Sequence, residues 1–206
     1  MIDGTNRHWS SRFWHALAMP LVRCGLTPNQ VTWAGLVLVI ANCAAYVAHQ
    51  QSAWLGFGFI FSFAFDSLDG AVARITGKTS KYGGYLDAVI DRYQELAAYL
   101  GIAYVTGWWP LAFFALSGSL LVSYNKARTA LEIPIDNYKW PDLMERFERI
   151  FVLCAALILD PVFTLPEYLG TRVLFFGIAV IAVLAHFTAV QRFMRARALL
   201  LKAGDK

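Results

Sequence analysis

Apolar residues run in long blocks along this chain, and short polar or proline-containing breaks separate them. A helix needs about 20 apolar residues to cross a bilayer core. Blocks near that length fall at residues 30–49, 52–74, 82–105, 110–132, 149–163 and 167–200. The breaks carry turn signals: Gln50-Gln51, Gly107-Trp108-Trp109-Pro110, and Pro161 with Pro166. The last block is long enough to project beyond the bilayer. Ahead of the blocks, in residues 5–23, Trp9, Phe13, Leu17 and Leu21 recur at four-residue steps, with Arg12 and Arg23 elsewhere on the wheel. That is the pattern of a helix lying in the membrane surface. The whole pattern predicts an all-α integral membrane protein, a single membrane domain over residues 1–206. Six transmembrane helices follow an N-terminal amphipathic surface helix.

Composition agrees with the pattern. Hydrophobic residues make up 58% of the chain and charged residues 16%, and mean hydropathy is +0.48. A soluble domain carries roughly a quarter charged residues, so that class is excluded, as are disordered, collagenous and disulfide-scaffold chains. Cys24, Cys43 and Cys154 match no zinc or redox spacing. Lys and Arg outnumber Asp and Glu by 18 to 14, and their placement matters more than the sum. With the N-terminus in the cytoplasm, every Lys and Arg except Arg92 and Arg172 lies on the cytoplasmic side. Both termini and the active site are therefore expected on the cytoplasmic side of the cell (inner) membrane, with no cleavable signal pattern before the first span and no nucleic-acid partner.

Ionisable groups within a span are expensive and default to function. The second span ends Phe65-Asp66-Ser67-Leu68-Asp69-Gly70, and the third contains Asp87 and Asp91. At roughly 100° per residue, Asp66 and Asp69 stand about 60° apart, and Asp87 and Asp91 about 40° apart. Each pair shares a face, and the short link between the spans makes them antiparallel neighbours with both pairs near the cytoplasmic surface. Four carboxylates at one level repel by several kcal/mol at low dielectric. Arg74 and Arg92 could offset that charge, but a hard divalent cation suits oxygen-only ligands better: Mg²⁺ or Mn²⁺, with room for two ions. Gly70 and Gly83-Gly84 suit the close approach of a ligand, and the helix start at Gly83 offers free N–H groups to an anion. A transporter would spread its acidic residues through the membrane depth and show paired repeats. Here the outer half is apolar and no repeat is visible.

The string Asp66-x2-Asp69-Gly70-x2-Ala73-Arg74-x8-Gly83-x3-Asp87-x3-Asp91 resembles the full signature of the CDP-alcohol phosphotransferase family of membrane enzymes. Gly25-Leu26-Thr27-Pro28-Asn29-Gln30-Val31-Thr32 is similar to that family's entrance to its first span. The resemblance implies a CDP-linked lipid donor, CDP-diacylglycerol, and transfer of its phosphatidyl group to the hydroxyl of a small alcohol with release of CMP. It implies that Asp66, Asp69, Asp87 and Asp91 hold the metal ions and that Asp91 is also the general base. It implies donor contacts from Pro28, Asn29, Gln30, Val31, Thr32, Asp66, Asp69, Gly70, Ala73, Arg74, Ser80, Gly83 and Asp87, and a homodimer.

Three stretches bear on the acceptor. Asp87-Ala88 and Asp91-Arg92 are similar to inositol-phosphate-type members of the family. Ser123-Tyr124-Asn125-Lys126-Ala127-Arg128 resembles a stretch of its phosphate-acceptor groups, and Glu145-Arg146-Phe147-Glu148-Arg149 and Val190-Gln191-Arg192 resemble two further family motifs. Lys126, Arg128, Arg146, Arg149 and Arg192 would bind an acceptor phosphate, with inositol phosphate as the leading acceptor. The same charges also fit positive-inside bias and anionic lipid heads. Residues 133–143 replace the small glycine-rich loop of the bacterial inositol-phosphate members. Glycerol 3-phosphate, a non-phosphorylated alcohol such as inositol or serine, or CDP-amino-alcohol transfer to diacylglycerol therefore remain as alternatives.

Overall fold

The computed structural model describes residues 7–134, 143–163 and 172–204, with side-chain placement from residue 14 onward. Every regular element among the described residues is a helix: α1 (Arg7–Arg23), α2 (Pro28–His49), α3 (Ser52–Asp66), α4 (Leu68–Thr76), α5 (Lys81–Thr106), α6 (Trp109–Glu132), α7 (Arg146–Leu159) and α8 (Val173–Gly204). Contacts sort them into two compact units, Met1–Ala45 with Gly58–Ala98, and Tyr46–Phe57 with Tyr99–Lys206.

Among the described residues, three helical stretches are long and apolar enough to cross a membrane by length and composition. They are Pro28–His49, Ser52–Thr76 and Val173–Ala203, with mean hydropathies of 1.9, 1.3 and 2.5. At about 1.5 Å per residue α2 is as long as a bilayer core is thick, and α8 exceeds it. The expected fifth span is a shorter helix, the 14 residues of α7. The expected sixth begins at Val173; residues 164–171 lie outside the described residues, as does most of the expected 133–143 acceptor segment, 135–142.

The expected second span differs from a plain helix in one place. It parts at Ser67, where ψ opens to −10°. The Ser67 hydroxyl and amide both donate to the Phe63 carbonyl, at 2.9 and 3.1 Å. A serine bonding back to its i−4 carbonyl loosens and bends a helix. The bend separates Asp66, the last residue of α3, from Asp69 in the first turn of α4.

In the first unit α1 packs on α4. Ala18 is fully buried with Val31, Leu68, Ala71 and Val72, and Trp14, Leu21 and Val22 pad that cluster. The four-residue stripe expected to face lipid is thus divided. Leu21 joins the packed face and Leu17 is exposed; the side chains of Trp9, Arg12 and Phe13 lie outside the described residues. Asn42 pins α2 to α3: its amide donates to the Ser62 hydroxyl at 2.9 Å and the Gly58 carbonyl at 3.3 Å. A Cβ at Gly58 would lie 2.2 Å from Asn42 Oδ1, so the close approach requires glycine there.

The second unit packs α8 against α6 and α7. Small residues let backbones meet, as helices in membranes prefer; Gly118 faces Ala185 and His186, and Gly177 faces Ala156. Asp160 is a junction the sequence did not signal. It is buried, accepts from Ser52 Oγ at 3.2 Å and from the Leu174 amide at 3.0 Å, and pairs with Arg172. One carboxylate thereby ties the end of α7 to the starts of α3 and α8.

Candidate metal centre and adjoining pocket

The chain enters α2 through Thr27-Pro28-Asn29-Gln30. Gln30 Oε1 accepts from the Thr27 amide at 2.8 Å, and the Thr27 hydroxyl reaches back to the Gln30 amide at 3.4 Å. This is a reciprocal cap with proline at the first helical position. It fixes the turn from which Pro28, Asn29 and Thr32 face the first unit's site. Gln30 is spent on the cap, and Val31 is fully buried in the apolar cluster under α1. Neither lines the pocket, so their expected donor contacts find no support in the geometry.

Asp66, Asp69 and Asp87 come together. Each offers a carboxylate oxygen, and these oxygens all lie within 4.8 Å of one another. Asp66 is buried. At an effective dielectric near 20, each pair of charges at such a distance repels by about 3 kcal/mol. Octahedral Mg²⁺ holds oxygens at about 2.1 Å, which puts ligand oxygens about 3–4 Å apart. The trio has to draw together to reach that geometry, and its all-oxygen chemistry suits Mg²⁺ or Mn²⁺.

Asp69 is oriented by two donors. Thr32 Oγ1 donates to its Oδ2 at 2.6 Å, and the Gly70 amide donates to Oδ1. Its place in the first turn of α4 adds the favourable end of the helix dipole. Asp91 stands outside the trio. Its Oδ2 accepts from Arg92 Nη2 at 3.4 Å, and the same nitrogen lies 3.4 Å from Glu95 Oε1.

Beside the carboxylates lies an open pocket of about 170 Å³. Of the expected donor residues, Pro28, Asn29, Thr32, Asp69, Gly70, Ala73, Arg74, Ser80, Gly83 and Asp87 line it. Arg74 folds back over Gly70, where an added Cβ would sit 3.3 Å from its Nη1. Ser80 caps α5, its hydroxyl accepting from the Gly83 amide at 2.9 Å. The geometry adds Lys78, Thr79 and Gly84 to the lining. α4 ends in left-handed Gly77, φ +66°, and the Lys78 amide closes on the Ala73 carbonyl at 2.9 Å. That closure turns Lys78 and Thr79 toward the pocket. Both sit in the eight-residue spacer of the motif, where spacing alone marks no residue out.

The expected acceptor residues lie in the second unit. Arg149 is buried, with Nη1 donating to the Met144 carbonyl at 3.0 Å. Arg192 is buried too, donating to the Val122 carbonyl at 2.5 Å and to Glu145 Oε1 at 3.3 Å. Arg146 and Lys126 are half-buried. Arg128 differs from the rest. It is exposed, pairs with Glu132 at 2.5 Å, and lines a separate groove with Thr129 and Arg197.

Described elements that are all helices, three of membrane length, and a carboxylate trio beside a basic, glycine-rich pocket fit the class of membrane enzymes that use a divalent metal. Residues 25–188 match the family model for CDP-alcohol phosphatidyltransferase, and the chain belongs to that family. It is 34% identical over 182 residues to archaetidylinositol phosphate synthase of Pyrococcus horikoshii, covering 86% of this chain and 87% of that one. It is 32% identical over 170 residues to phosphatidylinositol phosphate synthase of Cutibacterium acnes, covering 76% and 77%. The fold matches Mycobacterium tuberculosis phosphatidylinositol phosphate synthase with CDP-DAG bound, with TM-score 0.76, 28% identity and coverage of 90% and 94%. The same enzyme in complex with manganese and citrate matches with TM-score 0.76, 28% identity and coverage of 89% and 88%.

Proposed function

We propose that this chain transfers the phosphatidyl group of CDP-diacylglycerol, or of a CDP-lipid with other tails, to the hydroxyl of inositol phosphate and releases CMP. The observation that carries the reading is the carboxylate trio opening onto the pocket of Gly70, Arg74 and Lys78. It is the arrangement a diphosphate needs, with cation-binding oxygens on one side and fixed cations on the other. The bound CDP-DAG and manganese of the mycobacterial relative, and the archaetidylinositol phosphate and phosphatidylinositol phosphate named for several relatives, support it.

Asp66, Asp69 and Asp87 would hold Mg²⁺ or Mn²⁺, with Asp91 completing the site for two ions. Bound there, the metal supplies charge neutralisation of the diphosphate and stabilises CMP as leaving group. Arg74 and Lys78 grip phosphate oxygens, while Gly70 and Gly83 keep side chains out of the way of the nucleotide. Asp91 takes the proton from the acceptor hydroxyl, and Arg92 holds its carboxylate in place. The hydroxyl oxygen then bonds to the phosphorus that carries the diacylglycerol, and the bond from that phosphorus to the CMP oxygen breaks. Effectiveness comes from placing the hydroxyl in line.

Arg146, Arg149, Arg192 and Lys126 would bind the acceptor's phosphate. Arg128, paired with Glu132, is the weakest member of that set. The chain would work as one membrane domain of six spans with the active site and both termini cytoplasmic, and α1 in the membrane surface. The placement of Lys and Arg supports that orientation. A homodimer would follow the resemblance. Purified protein with CDP-diacylglycerol and Mg²⁺, offered inositol phosphate, glycerol 3-phosphate, inositol and serine in turn, tests the reading through CMP release. Preference for inositol phosphate is the expected result, and preference for a neutral alcohol would overturn the acceptor.

A further inference from the structure

We propose that Gly35 and Gln94 are positioning residues of the metal centre, the glycine making room for the Asp66 carboxylate and the Gln94 side chain walling the same gap. This rests on the metal reading above. Thr32 and Gly35 are three residues apart on α2 and so share a face. Asp69 and Asp66 are three apart in the opposite sense. Thr32 meets Asp69 through its hydroxyl, and one turn further on Gly35 meets Asp66. A Cβ at position 35 would lie 2.7 Å from Asp66 Oδ1, 3.1 Å from Asp66 Cβ and 3.2 Å from Gln94 Nε2.

The carboxylate oxygen and the amide nitrogen therefore face the same gap over Gly35. Both side chains are buried, Asp66 at 2% and Gln94 at 0% exposure, so neither can swing out to admit a methyl group. Gln94 lies seven residues after Asp87 and three after Asp91, on the stripe of α5 that carries both aspartates. A carboxamide beside the carboxylate confines it without bringing a charge. Lys or Arg at that place would compete with the cation. Partners of this kind, one step removed from the metal, are worth about ten- to a hundredfold in affinity.

The test is Mn²⁺ titration of metal-stripped protein in detergent, followed by electron paramagnetic resonance, with thermal melting in EDTA alongside. Gly35→Ala and Gln94→Met should each weaken Mn²⁺ binding by about ten- to a hundredfold. Gln94→Met, which keeps the volume, should melt in EDTA close to wild type; a role in packing alone would lower melting and leave the Mn²⁺ affinity unmoved. Should Gly35→Ala fail to fold, Gln94→Met decides. Wild-type affinity in either folded variant, while Asp69→Asn loses the ion, overturns the proposal alone. Equal Mn²⁺ binding by wild type and Asp69→Asn overturns the metal reading, and the proposal with it.

Discussion

The Thr32 hydroxyl donates to Asp69 Oδ2 at 2.6 Å across 37 residues of sequence, and it joins the start of the first long apolar helix to the candidate metal centre. Thr32 is buried, so the bond is shielded from water. A hydrogen bond to a charged group contributes about 1.5–3 kcal/mol. Thr32→Val keeps the shape and removes the donor. It should raise both the KM for CDP-diacylglycerol and the half-saturating Mg²⁺ concentration about tenfold, while kcat at saturation changes less. Unchanged values of both would remove Thr32 from the site.

Gly70→Ala should raise the donor KM several-fold. The new methyl would sit 3.3 Å from Arg74 Nη1, so the guanidinium has to give by a few tenths of an ångström over the pocket. Steady-state kinetics with the donor varied is the check, and a wild-type KM would show that Arg74 is not held where the donor binds.

Arg146 and Arg192 should separate. Arg192 is 4% exposed and bonds the Val122 carbonyl and Glu145. Its removal strips charge-assisted bonds to a buried carbonyl and a half-exposed carboxylate, at about 1.5–3 kcal/mol, so Arg192→Ala should melt below wild type. Arg146 is half-buried, so Arg146→Ala should melt less far below wild type. Its KM should rise about ten- to a hundredfold for a phosphorylated acceptor and little for the neutral alcohol. Equal losses with both acceptors would return Arg146 to membrane-side charge.

Asp160→Ala should be a stability variant only. The carboxylate accepts from Ser52, the Leu174 amide and Arg172, and losing these costs about 1.5–3 kcal/mol. Melting should fall by several degrees while kcat and KM of the folded fraction stay near wild type. A fall in kcat without a fall in melting would contradict that role.

Much of the site was legible because its chemistry is carried by spacing. Asp66 with Asp69 and Asp87 with Asp91 are helix-face pairs, and charged residues in an apolar run are conspicuous. Three of the four meet. Asp91 turns to Arg92, a neighbour that spacing could not rank against a metal ion. The turn at Thr27-Pro28 is likewise readable, although the cap it forms uses Gln30 that the resemblance assigned to the donor. Gly35, Gln94 and Lys78 were not legible, since a glycine, a glutamine and a loop lysine acquire meaning only when another helix arrives opposite them. The bend at Ser67 escaped for the same reason that helix ends usually do: a single back-bonded serine shifts ψ without disturbing the apolar pattern. Asp160 escaped because one carboxylate beside Pro161 reads as a turn until its three donors are seen.

Metal dependence tests the central claim most directly. Protein stripped of metal is assayed for CMP release from CDP-diacylglycerol and inositol phosphate in excess EDTA, and Mg²⁺ or Mn²⁺ is then added back in excess of the chelator. The trio of Asp66, Asp69 and Asp87 predicts no turnover in EDTA and full recovery with the added ion, and it predicts that Asp69→Asn fails to recover. Full turnover in EDTA, with metal content verified as absent, would contradict it.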